Sequence, residues 1–182
     1  MNRRTLSTEE LEARALELSH QPPSEVAVRR LEEGLLIMRL GGEIYGIPAP
    51  AVHEVVCRPA VTPLPVNPRF VAGVINLRGE VVAVLDLAPM FGLPAGGPRD
   101  YAVVVRHEEL VAAVLADETM DVEWFSASAR QPVVATVAEE VAALFAGVFH
   151  WRGLLVTAVD LAKVLGHPEF LKLRAPKESG EA

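Results

Sequence analysis

The chain has 182 residues, of which 51% are apolar and 5% aromatic, enough for one or two small domains with an aliphatic core. A net charge of −7 argues against nucleic acid as the main partner, because phosphate binding needs a basic surface. The single cysteine, Cys57, excludes an internal disulfide and a cysteine metal cluster. No apolar run approaches the roughly 20 residues of a membrane span, and the N-terminus MNRRTLSTEE lacks the apolar stretch of a secretion signal. A cytoplasmic protein with no direct membrane insertion is expected.

A helical arm is predicted over residues 1–33. Ser7 and Glu10 form a capping box, Leu6 and Leu11 stand at the two places of a hydrophobic staple, and Leu11, Ala15 and Leu18 share one helical face. Pro22-Pro23 ends that helix. Next, LLIMRL (35–40) and EIYGI (43–47) flank Gly41-Gly42, a dipeptide that marks a two-residue hairpin. Val52 to Val56 reads as a short strand at an edge, because the prolines around it cannot sit throughout a central strand. Ala95 to Pro98 is a linker-like junction. Beyond it, YAVVVR (101–106), a polar turn at His107-Glu108-Glu109 and LVAAVLA (110–116) form a second hairpin. Asp117-Glu118-Thr119 interrupts, and Val122 to Trp124 is a further strand. Ala135 to Phe145 fits either a helix or an irregular crossing. Residues 172–182 form a polar tail expected to be disordered.

The organising feature is a repeat. AGVINLRGEVVAVLDLAPMFGLP (72–94) recurs as AGVFHWRGLLVTAVDLAKVLGHP (146–168), with a constant offset of 74 (from 72 to 146 and from 94 to 168) and eleven identities in 23 positions. Many of these are turn and cap residues, which fix backbone geometry, so chance apolar composition is a poor explanation. Each copy reads as strand, tight turn, strand, short helix, stop. Gly79 supplies the positive φ of a close turn. EVVAVL (80–85) is valine-rich and expected to be buried on both faces. Asp86 stands at an N-cap, Gly92 at a left-handed C-cap and Pro94 at the stop, and Asp160, Gly166 and Pro168 repeat this punctuation. Short strands with regular Gly and Pro turns point to small barrels, and the duplication to two of them. Subdomain one should span roughly 34–97 and subdomain two roughly 98–171, with strand exchange between them left open.

GVINLRGEVVAVLDLAPMFGL, with the LGGEIYGIP hairpin, the VHEVV segment and the Val111–Asp117 pattern, resembles the CheW-like domain family over about residues 34–171. The resemblance implies a mainly β fold of two SH3-like five-stranded barrels related by a pseudo-two-fold. It implies a non-catalytic adaptor, without cofactor or metal, that couples the cytoplasmic tips of chemoreceptors to the regulatory domain of a CheA-type histidine kinase. Carried over by motif, the receptor-facing groove comprises Val52, Glu54, Gly73, Asn76, Arg78 and Gly79. Arg78 is the sharpest of these, since a guanidinium on a rigid hairpin engages carboxylates or carbonyls bidentately; without the resemblance it reads more readily as a solvated turn residue. Kinase contacts are expected on exposed barrel edges. The second copy has His150-Trp151 where the first has Asn76-Leu77, so the halves should not bind the same partner. Flagellar chemotaxis and another receptor–kinase array, such as one for surface motility, both fit.

Catalysis finds little support. His20, His53, His107, His150 and His167 show no metal-ligand spacing. Ser126 and Ser128 lie in no nucleophile elbow, and Gly96-Gly97 lacks the lysine and helix of a phosphate loop.

Overall fold

In the computed structural model, residues 32–64, 68–94, 97–133 and 138–171 are described. The predicted arm helix and the polar tail lie outside them. Ten strands make up most of the fold: β1 (Glu32–Leu40), β2 (Glu43–Pro48), β3 (Val52–Cys57), β4 (Val71–Leu77), β5 (Glu80–Leu85), β6 (Tyr101–His107), β7 (Leu110–Ala116), β8 (Glu118–Ser126), β9 (Phe145–Trp151) and β10 (Leu154–Val159). Short helices at Glu139–Ala142, Leu161–Leu165 and Pro168–Leu171 follow β8 and β10. No described helix is long and apolar enough to cross a membrane.

The first sheet runs β8-β1-β2-β10-β9 and the second β3-β6-β7-β5-β4. Advancing every strand by five places in chain order converts one order into the other, the permutation that a duplicated pseudo-two-fold unit requires. The sheets do not coincide with residues 34–97 and 98–171. Hairpin β1–β2 lies with β8, β9 and β10, and hairpin β6–β7 lies with β3, β4 and β5. The exchange is sealed by short parallel ladders, Thr157 opposite Tyr45 in one sheet and Ala83 opposite Ala112 in the other. Among the described residues the chain passes between sheets twice, at Ala49–Ala51 after β2 and at Asp117 between β7 and β8.

The expected closed barrels are instead open ladders ending in edge strands. Among the described residues only an isolated bridge lies on the outer edge of β4, where Thr62 exchanges both hydrogen bonds with Val74 at 2.8 and 2.9 Å, and another on β9, where Gln131 does so with Val148 at 2.9 Å each. Pro63 and Pro132 adjoin these bridges, and with no N–H to donate they stop a ladder from extending.

Alternation along the strands feeds three apolar clusters. On β1, Leu35 and Ile37 join Ile44, Phe149 and Val156 inside the first sheet. Leu36, Met38 and Leu40 point the other way, into a core shared by both sheets with Tyr45, Leu85, Val103, Val114 and Leu165. Ile75, Val82, Val84, Val104 and Leu115 fill the second sheet's own interior. Within the shared core, the Phe91 ring lies 5.0 Å from Tyr45 and, edge-on, 4.8 Å from Phe145. Burial pushes the Tyr45 hydroxyl pKa up, and its 2.8 Å hydrogen bond to Glu43 and that residue's charge push it further. On β5 burial holds for Val82, Val84 and Leu85, whereas Val81, near the hairpin tip, is 73% exposed.

The two copies differ after their second strands. Asp160 caps Leu161–Leu165 as expected, accepting from Lys163 N at 3.2 Å. After β5 there is no helix, only turns. Asp86 Oδ1 accepts from Ala88 N at 3.0 Å while Oδ2 takes Arg99, and Pro89 follows directly. Gly92 is left-handed at φ 70, and Leu93 N donates to Ala88 O at 2.9 Å, the long bond of a Schellman turn. Gly166 corrects the expectation: it is a C-cap, but at φ −81 in the right-handed region. Glycine is still required there, because a Cβ would lie 2.6 Å from Ala162 O.

Candidate functional site

The motif residues meet at the tip of hairpin β4–β5. Arg78 (φ 54) and Gly79 (φ 94) are both left-handed, the two central residues of a type I′ turn whose twist matches its strands. Asn76 Oδ1 accepts the Gly79 N–H at 2.8 Å, fixing the turn from within. Glycine or asparagine is the cheaper occupant at the first position; a left-handed arginine costs about 1–2 kcal/mol. Strain of this kind persists where the side chain has a use. The Arg78 side chain is 80% exposed and its Nη2 lies 3.1 Å from Glu54 Oε2 on edge strand β3. So exposed a pair contributes little stability. It orients the guanidinium without sequestering it.

Glu54 and Arg78 line a concavity of about 250 Å³ together with His53, Leu77, Arg106 and Val111. A second, of about 300 Å³, lies beyond Leu77 and holds Asn76, Val56 and Ile75. Leu77 and Arg106 were not singled out from the sequence; Leu77 is legible as the motif position that becomes Trp151 in the second copy, whereas Arg106 reaches the groove only through the β3–β6 pairing. Exposed Val55 (40%) and Val81 (73%) line neither concavity, each being next in its strand to a residue, Glu54 or Val82, that does line the first.

The remaining predicted residues stand apart. Val52 is half-buried against the shared core. Gly73 is buried, at φ 149, and a Cβ there would lie 2.1 Å from Thr62 O. Its demonstrable role is to let the 59–64 segment lie against β4. Gly147 does the same for Gln131, whose carbonyl would be 2.8 Å from an added Cβ. A concavity of about 450 Å³ lies elsewhere, lined by Phe70, Met90, Leu144 and His167 among others, and contains none of the predicted residues. Among the described residues no group of three His, Cys, Asp or Glu side chains is placed to hold a metal ion.

The model of the CheW-like domain matches residues 34–169. The chain belongs to the CheW-like domain family. Chemotaxis protein CheW of Rhizobium meliloti (strain 1021) is 28% identical over 148 residues, 79% of this chain and 96% of that protein. Protein FrzA of Myxococcus xanthus is 38% identical over 96 residues, 52% of this chain and 60% of that one. The crystal structure of scaffolding protein TtCheW from Thermoanaerobacter tengcongensis superposes with a TM-score of 0.66 at 25% identity, covering 80% of this chain and 90% of that one. The mainly β expectation, with two five-stranded sheets, therefore holds together with the family.

Within this CheW-like domain the second tip shares the backbone of the first and an acidic partner on the matching edge strand, but has Trp151 under its arginine. Arg152 (φ 48) and Gly153 (φ 79) form the equivalent turn. Arg152 stacks 4.6 Å over Trp151 and pairs with Glu123 at 3.1 Å and Asp121 at 3.3 Å on β8. Trp151 Nε1 also donates to Glu123 at 2.9 Å. One tip thus presents its arginine and the other engages its own.

Proposed function

We propose that this chain is a non-catalytic adaptor that couples the cytoplasmic tips of chemoreceptors to the regulatory domain of a CheA-type histidine kinase. In this reading it works in the cytoplasm, at membrane-associated receptor arrays. The receptor-facing groove is built on Glu54, Asn76, Arg78 and Gly79, with Val52 and Gly73 supporting its walls from the core and from β4. Family membership supports the class. The observation that carries the site is the exposed Arg78 guanidinium, held in a left-handed turn at the rim of a concavity and paired only with Glu54 among the described residues.

The chemistry is exchange of partners. A receptor carboxylate or helix-end carbonyl replaces or joins Glu54 on a guanidinium already aimed at solvent, so little side-chain freedom is lost on binding. Leu77, Val82 and Val111 supply apolar surface around that polar centre. The kinase is assigned to the outer edges of β3 and β8, at the ends of the two sheets away from the bridged edges of β4 and β9, because an edge strand is able to pair with another β fold. Coupling follows if receptor states differ in their contacts with this groove, because only such differences bias the kinase.

Titration of wild-type and Arg78→Ala protein with receptor-tip fragments, and separately with the kinase regulatory domain, tests the reading. Receptor affinity should fall while kinase affinity stays. Equal receptor affinity in both proteins removes Arg78 from the site, and no binding of either partner by the wild type removes the adaptor reading.

A further inference from the structure

The second crossing between the sheets consists of one residue, Asp117, and that residue is held from both sides. Its Oδ2 accepts the Gly41 N–H at 2.7 Å and its own N–H donates to Arg39 O at 2.9 Å, both in the β1–β2 hairpin of the first sheet. Its Oδ1 takes Arg99 Nη1, and Arg99 Nε donates at 3.1 Å to Asp86 Oδ2, just after β5 of the second sheet. The Arg99 and Asp117 side chains are each 11% exposed. The junction is shaped around the guanidinium. Arg99 is left-handed at φ 47, and Gly97, at φ 135, passes so near that an added Cβ would lie 2.5 Å from Arg99 Nη1 and displace the guanidinium. Arg99 Nη2 is buried without a hydrogen-bond partner among the described residues.

Burial opposes the charge on Arg99, and the hydrogen bonds and charges of Asp86 and Asp117 outweigh it, raising the arginine's pKa. Charges this far from solvent persist only when paired. The apolar core between the sheets is non-directional and tolerates small rotations. A planar guanidinium that bridges two separate carboxylates tolerates few.

We propose that Asp86, Arg99 and Asp117 form a latch at the inter-sheet crossing, tying the ends of β5 and β7 to the β1–β2 turn and fixing how one sheet is set on the other. The latch is a device of the fold and does not depend on the receptor contact assigned to Arg78. For an adaptor it sets the stiffness with which a displacement of one sheet reaches the other.

Amide hydrogen exchange on the full chain tests this. In Arg99→Met, exchange at the Gly41 and Asp117 amides should rise at least about tenfold, a shift of roughly 1.4 kcal/mol in local opening, while Ile37 and Val156, in central strands of the first sheet, keep wild-type protection. Arg99→Lys, which reaches one carboxylate but not both, should give a smaller rise at the same two amides. If Arg99→Met does not fold, Arg99→Lys decides by the same comparison. Unchanged exchange at Gly41 and Asp117, or an equal rise at all four amides, overturns the latch.

Discussion

Arg78 and Arg152 stand at the same position of two hairpins, 74 residues apart in the chain (78 and 152), and both are left-handed, at φ 54 and 48. Each reaches a carboxylate on the corresponding edge strand, Glu54 on β3 and Glu123 with Asp121 on β8. The duplication therefore extends to three dimensions, down to the side-chain partners. What separates the copies is Trp151, which lies under one arginine where Leu77 leaves the other open.

Arg78→Ala should leave stability within about 0.5 kcal/mol, because an exposed ion pair contributes little, and should weaken receptor-tip binding about tenfold or more, as expected for a central arginine anchor. Calorimetric titration beside a thermal melt separates the two effects. Arg78→Gly should melt no lower than wild type, since glycine relieves the left-handed strain.

Arg152→Ala should behave differently. It removes two ion pairs and a cation–π contact, and a loss of about 1 kcal/mol is expected after allowance for solvent exposure. Chemical denaturation of this variant beside Arg78→Ala checks the asymmetry; equal midpoints would mean that the second tip is not self-engaged.

Gly73→Ala should cost more than either, at least about 2 kcal/mol, because backbone must move to admit the methyl group. Gly42→Ala is the control: its φ of 89 imposes similar strain, but nothing lies within 4 Å of the added Cβ. A larger loss at Gly73, read from denaturant midpoints, isolates the contact with Thr62. Phe149→Ala in the first sheet's interior should cost about 3–5 kcal/mol.

Tyr45 gives the pH dependence. Its pKa is raised in the folded state above the ordinary 10.0, so the unfolded chain loses this proton first. The contribution to stability is complete below about pH 10 and declines as pH rises beyond it. Tyr45→Phe should flatten the fall in unfolding free energy between pH 9 and about 11. An unchanged slope would assign the alkaline loss to other groups.

Much of this molecule is local and was readable without coordinates. The I′ turn at Arg78-Gly79 follows from Gly79 and the flanking strands, the Asp160 cap from its place before LAKVL, and the β6–β7 hairpin from two apolar runs around a polar turn. In these segments neighbouring residues decide the backbone. The same local logic misplaced the helix after β5, because Asp86 divides its carboxylate between Ala88 and Arg99, thirteen residues on.

Sequence alone determined the duplication, the turn chemistry, the alternation of apolar residues and the family. Tertiary structure decided which sheet each hairpin joins. Alternation states that a strand has two apolar faces but not which strands cover them, so β1–β2 could not be assigned to β9–β10. It also placed Arg99, directly after the linker-like Ala95–Pro98, between Asp86 and Asp117 in a largely enclosed ion cluster. Asp86, Arg99, Asp117 and Gly41 are far apart in sequence, and only burial within one fold makes each of them the partner the others require.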